Sequence, residues 1–88
     1  MIFYDFTKQA KKQLDNFPLQ IRKRIVKKIK EYCSRPEPLR EAKYLANVPG
    51  KVYRYRIGDY RVIFDWEGRS ILITQIEHRG SAYKRLLR

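Results

Sequence analysis

From Val52 to His78 the chain alternates between apolar and polar residues with the period of a β-strand, broken at two glycine-containing points. Gly58-Asp59 separates two runs rich in β-branched and aromatic residues. A glycine at the first central position of a type II′ turn makes this a two-residue hairpin. The loop length fixes the register: Ile57 opposes Tyr60, Arg56 opposes Arg61, Tyr55 opposes Val62, Arg54 opposes Ile63 and Tyr53 opposes Phe64. Alternation then places Tyr53, Tyr55, Ile57, Tyr60, Val62 and Phe64 on a core-forming face and Arg54, Arg56 and Arg61 on the opposite one. Glu67-Gly68 marks a second turn, after which Ile71-Leu72-Ile73 opens a further strand. A two-residue loop there turns Arg79 toward the apolar side; a three-residue loop puts Glu77 and Arg79 on the face of Arg61.

Upstream the period changes. Ile2-Phe3-Tyr4-Asp5-Phe6 reads as a short strand, and Thr7 as the cap of a helix running to about Asn16, with Phe6, Ala10, Leu14 and Phe17 at helical spacing. Pro18 suits the first turn of a second helix, about Leu19 to Cys33, whose stripe is Ile21, Ile25, Val26, Ile29, Tyr32 and Cys33. These helices pair and lay their shared apolar surface on the Tyr/Val/Phe side of the sheet. Ser34 to Pro49 reads as a connector, interrupted by Pro36 and Pro38. Ala82 to Leu87 form a short closing helix. The expected fold is α+β: an N-terminal strand and helical hairpin packed on an antiparallel β-meander, in a single domain over residues 1–88.

Charge changes the picture. Lys and Arg number 21 against 9 Asp and Glu, a formal net charge of +12, and the pI is near 10.1. Such a field attracts polyanions: nucleic acid, a ribosomal surface or an acidic protein. Arg56 facing Arg61 across the hairpin carries a repulsive cost that a purely structural sheet has no reason to bear, although strand charges most often form nothing more than a solvated face. The lysine-rich helix surfaces admit the same two readings. Cys33 is the single cysteine, so an internal disulfide is excluded and a reducing cytoplasm is expected; on a helical apolar stripe it reads as a core residue. No apolar run approaches the ~18 residues of a membrane span.

One histidine and scattered carboxylates make a poor zinc site, no glycine-rich phosphate loop precedes a helix, and the two helices look like a packed hairpin rather than a DNA-reading pair. What remains is a phosphate-directed set: Arg54, Arg56, Arg61, His78, Arg79 and Tyr83. Cleaving RNA through its own 2′-OH requires deprotonation of that hydroxyl, stabilisation of charge on the phosphate, and protonation of the leaving 5′-oxygen, and it needs no metal or other cofactor. Against this stand Tyr83 as a core residue, His78 as a strand-end polar group and Arg79 as a rim charge.

Arg54-x-Arg56, then Gly58-Asp59-Tyr60-Arg61-Val62, then Ile76-Glu77-His78-Arg79-Gly80-Ser81-Ala82-Tyr83-Lys84-Arg85, resemble the RelE/ParE superfamily of toxins from type II toxin–antitoxin modules, over nearly the whole chain. The resemblance implies a compact α/β toxin. For the RelE-like branch it implies an endoribonuclease that cleaves mRNA in the ribosomal A site, leaving a cyclic phosphate and a 5′-OH. By the same resemblance Arg61 matches the family's phosphate-stabilising arginine, Arg79 its second arginine, and Tyr83 the C-terminal tyrosine that stacks on a base or takes part in proton transfer. Arg54 and Arg56 stand where the family often carries basic residues that bind RNA, and His78 where others place a lysine or another polar residue. The turn after Arg56 is shorter than in some members.

The implied partners are a cognate antitoxin, forming a hetero-oligomer in which an acidic or amphipathic helix covers the basic face or displaces the C-terminal helix, and the ribosome with its mRNA. The ParE-like branch shares the scaffold and poisons DNA gyrase; Tyr83 together with Arg61 and Arg79 favours RNA cleavage over it. A catalytically inactive member that only binds its antitoxin is the third class.

Overall fold

The structure is a computed structural model and describes residues 2–79. In chain order it contains β1 (Phe3–Phe6), α1 (Lys8–Asp15), α2 (Leu19–Ser34), β2 (Ala42–Tyr44), β3 (Val52–Ile57), β4 (Tyr60–Trp66) and β5 (Ser70–His78). The strands form one sheet in the order β1-β5-β4-β3-β2. The short closing helix expected over 82–87, and Tyr83 within it, lie outside the described residues.

Thr7 caps α1: its hydroxyl accepts the Ala10 N–H at 3.1 Å, satisfying a donor that the first helical turn otherwise leaves unpaired. Pro18 sits at the N-cap of α2, and its carbonyl accepts the N–H groups of Ile21 and Arg22. At the other end Arg35 is extended, as the residue before Pro36 must be. Both helices bury one stripe, Ala10 and Leu14 from α1 and Ile25, Ile29, Tyr32 and Cys33 from α2. These meet Tyr55, Ile57, Val62, Phe64, Ile71, Ile73 and Ile76 of the sheet in one cluster. Rings form its centre, with Tyr55 4.6 Å from Tyr32 and 4.5 Å from Phe64 between centroids. The Tyr55 hydroxyl reaches out of this cluster to donate to the Pro38 carbonyl at 2.7 Å.

Two elements differ from expectation. The 34–49 connector contains a three-residue strand, β2, which pairs antiparallel with β3 through Ala42–Tyr55, Lys43–Arg54 and Tyr44–Tyr53. So short a segment carries little periodic signal of its own; the docking of Tyr44 on Tyr53, 5.3 Å between ring centroids, goes with the pairing. The N-terminal strand joins the sheet edge and runs parallel to β5, Phe3 beside Ser70 through Phe6 beside Ile73. The intervening helical hairpin and meander provide the long connection that a parallel pair requires.

Candidate functional site: a guanidinium cleft at the hairpin tip

The β3–β4 register is the one its turn dictates: Ile57–Tyr60, Arg56–Arg61, Tyr55–Val62, Arg54–Ile63 and Tyr53–Phe64. Gly58 has φ +59°, and Asp59 stays at negative φ, the combination of a type II′ rather than a type I′ turn. Tyr55, Ile57, Val62 and Phe64 are buried on the helical side. Arg54, Arg56 and Arg61 therefore project from the opposite face. Lys43 of β2 faces Arg54 across the β2–β3 pair, so two like-charge pairs, Lys43–Arg54 and Arg56–Arg61, lie side by side on this face.

Arg79 reaches the same face by a route that loop length alone does not reveal. The Glu67 N–H donates to the Ser70 carbonyl, leaving Gly68 and Arg69 as a two-residue loop. With Phe64 beside Ile73, that loop by itself keeps odd-numbered residues of β5 on the helical side. The register then slips: Ile63 pairs with Gln75, and Thr74 is the extra residue of a β-bulge. Beyond it the parity is reversed. Ile76 is buried, Glu77 faces Arg61, and His78 faces Tyr60. The outcome expected of a three-residue loop is thus produced by a two-residue loop plus a bulge.

The bulge is held by polar groups from the other layer. The Thr7 hydroxyl donates to the Thr74 carbonyl and the Thr74 hydroxyl to the Ile63 carbonyl, both at 3.4 Å. The Ile76 N–H, beyond the last residue that β1 pairs, donates to Gln13 Oε1 at 2.8 Å. Past His78, the Arg79 N–H donates to the Asp59 carbonyl at 2.8 Å.

Arg56, Arg61 and Arg79 consequently line one cleft of about 120 Å³ with Gly58, Asp59 and Tyr60. Three guanidinium groups, each a planar fork of donors, suit an anion with several oxygens in fixed directions, such as a phosphodiester. Arg54 stands two residues further along β3, half-buried, on the same face but outside the cleft lining. His78 is on the helical face, its ring 5.1 Å from that of Tyr60 and edge-on to it; Tyr60 in turn packs on Phe17 at 5.0 Å and lines the cleft. Tyr83 lies outside the described residues.

Two residues at the tip were not singled out from sequence. Asp59 reads there only as a turn former, yet it lines the cleft. Arg24, on α2, reads as one of many helix cations. Its guanidinium sits against Gly58: a Cβ at that position would lie 2.8 Å from Nη2 and 3.2 Å from Cζ. Cys33 is buried, and desolvation pushes its thiol up to about 11, the opposite of what a thiolate nucleophile needs. Among the described residues, no helix is long and apolar enough to cross a membrane.

The sequence profile of the family described as "ParE toxin of type II toxin-antitoxin system, parDE" matches residues 4–83. The chain is 36% identical over 81 residues to "Toxin RelE3" of Methanocaldococcus jannaschii, covering 89% of this chain and 91% of that protein. Its fold is similar to a chain of the RelBE2 toxin–antitoxin complex of Mycobacterium tuberculosis, with a TM-score of 0.79 and 28% identity over 89% of this chain and 98% of that one. It is also similar to a chain of the RelB–RelE antitoxin–toxin complex of Methanococcus jannaschii, with a TM-score of 0.69 and 33% identity over 89% and 93% of the two chains. The chain belongs to the RelE/ParE superfamily of type II toxin–antitoxin toxins.

Proposed function

We propose that this toxin is a RelE-like endoribonuclease that cuts mRNA in the ribosomal A site. The observation that carries the proposal is the convergence of Arg56, Arg61 and Arg79 on one cleft, supported by the relatives named RelE. In the reaction the 2′-oxygen loses its proton to a base and attacks the adjacent phosphorus. The P–O5′ bond breaks, the 5′-oxygen takes up a proton, and the products are a cyclic phosphate and a 5′-OH. Arg61 and Arg79 hold the non-bridging oxygens as negative charge builds on them, and their fixed placement avoids reorganisation at the moment of reaction. Arg54 and Arg56 hold the neighbouring backbone. Tyr83 is the group assigned to proton transfer, while His78, outside the cleft lining and edge-on to Tyr60, orients that ring.

The partner is a cognate antitoxin, in keeping with the antitoxin-bound state of the similar structures. A chain of net charge +12 is a favourable target for an acidic segment that orders on binding. Primer extension on mRNA from a translation reaction tests the nuclease. New 5′ ends within A-site codons are expected; their absence with well-folded protein contradicts it.

A second function has one specific observation in its favour: the matching family profile is described as a ParE toxin. On that view the target is DNA gyrase, and inhibition of supercoiling by purified gyrase is the discriminating assay. Silence in both assays, with tight binding to a neighbouring acidic protein, identifies a member that only binds its antitoxin.

A further inference from the structure

α2 carries Arg22, Lys23, Arg24, Lys27, Lys28 and Lys30 against a single acid, Glu31, and has no acidic residue in its first turn. Like charges three and four residues apart, such as Arg24 with Lys27 and Lys23 with Lys27, repel along the helix. Among the described residues, only Lys28 of these six is in a salt bridge, to Glu31 at 3.3 Å. A helix that needed only solubility has no reason to concentrate one sign of charge in this way. An extended polyanion removes the cost.

One of these cations is placed at the cleft. Arg24 is exposed, yet its guanidinium rests against the backbone of Gly58 closely enough that a Cβ there would meet Nη2 at 2.8 Å and Nη1 at 3.2 Å. Gly58 is shared: it lines the guanidinium cleft and also receives Arg24 from the helical layer. The turn is therefore flanked by arginines from both layers of the protein, Arg56, Arg61 and Arg79 from the sheet and Arg24 from α2. Glycine at 58 serves the positive φ of the turn and also makes the room that Arg24 occupies.

We infer that the RNA-binding surface continues over the hairpin tip onto α2, and that Arg24 contacts a backbone phosphate next to the one held in the cleft. The inference rests on the nuclease reading for the identity of the polyanion, and it adds a positioning residue that lies off the sheet. Phosphate contacts of this kind fix the path of a strand without reading its bases.

The test is the salt dependence of binding to a single-stranded oligoribonucleotide carrying 2′-O-methyl groups, which lacks the attacking hydroxyl and is bound without being cut. For Arg24→Ala the slope of log affinity against log salt is expected to fall by about 0.7, the amount for one phosphate contact on a single strand. Arg24→Lys keeps the charge and most of the slope. An unchanged slope in Arg24→Ala overturns the inference. So does an equal fall for Lys12→Ala, an exposed lysine of α1 outside the cleft, since that would make the attraction diffuse. Ribosomal cleavage is read separately. A wild type that cuts, with no slope change in Arg24→Ala, removes the Arg24 contact alone; a wild type that does not cut, with the slope change present, removes the nuclease and leaves the contact.

Discussion

The backbone N–H of Arg79 donates a 2.8 Å hydrogen bond to the carbonyl oxygen of Asp59, tying the end of β5 to the turn between β3 and β4. Twenty residues apart in sequence, the two are thereby held at one tip, and Arg79 joins Arg56 and Arg61 in the cleft. This bond forms in register only because the Thr74 bulge has already reversed the alternation of β5.

Deleting Thr74 should take the bulge out and leave every later residue on its present face, because Gln75 then follows Ile73 directly and still opposes Ile63. Ile76 stays buried and Arg79 stays at the cleft, while the bond from the Thr74 hydroxyl to the Ile63 carbonyl is lost. The expected outcome is cooperative unfolding in urea, followed by far-UV circular dichroism and tryptophan fluorescence together, with stability lower by about 1 kcal/mol. A deletion variant that loses cooperative unfolding would show that the face of Arg79 does not follow from the register at Thr74.

Gln13→Ala should destabilise the protein by about 1–3 kcal/mol, since it leaves the Ile76 N–H without the acceptor that Gln13 Oε1 supplies. The cost should appear in the urea midpoint with little change in slope. Because Gln13 is on α1, it also reports how firmly the helical layer holds the strand beyond the reach of β1.

Tyr55→Phe should cost about 1 kcal/mol through the lost bond to the Pro38 carbonyl, and Tyr55→Ala about 3–5 kcal/mol, because the ring lies fully buried between Tyr32 and Phe64. Comparing the two by thermal or urea unfolding separates the hydroxyl from the ring.

Alkaline pH should weaken the fold. Desolvation raises the Cys33 thiol from 9.0 to about 11, and burial raises the Tyr55 hydroxyl as well, helped by the neighbouring Cys33. For an acid raised in the native state, the neutral form belongs to the folded chain. The contribution is present in full below pH 9.0. It is lost between pH 9.0 and about 11, where the unfolded chain releases a proton that the folded chain keeps. Urea midpoints should fall across that window, and Cys33→Ala should flatten part of the fall.

Much of this fold is legible in the sequence because local rules and the global structure agree. Gly58-Asp59 fixes the hairpin register, Thr7 caps α1, and the stripe from Ile21 to Cys33 defines the buried side of α2. β2 and the parallel pairing of β1 are not legible, since both depend on partners distant in sequence. The face of Arg79 is undecided from sequence because it requires both the turn closed by Glu67 and Ser70 and the extra residue at Thr74, and the groups that hold the bulge, Thr7 and Gln13, come from another layer. Of the site, Arg56 and Arg61 follow from the hairpin alone. Arg24 does not: nothing in the α2 stripe distinguishes it from its neighbours, and only its place against Gly58 does so.

Arg61→Ala tests the central claim most directly, measured as the single-turnover rate of mRNA cleavage on programmed ribosomes alongside urea unfolding of the same variant. The loss of a preorganised charge donor predicts a rate lower by about 10²–10³. Stability should stay within about 0.5 kcal/mol of wild type, since Arg61 faces Arg56 across the hairpin and packs no core. A variant that folds and cleaves as fast as wild type would contradict a cleft built to hold the scissile phosphate.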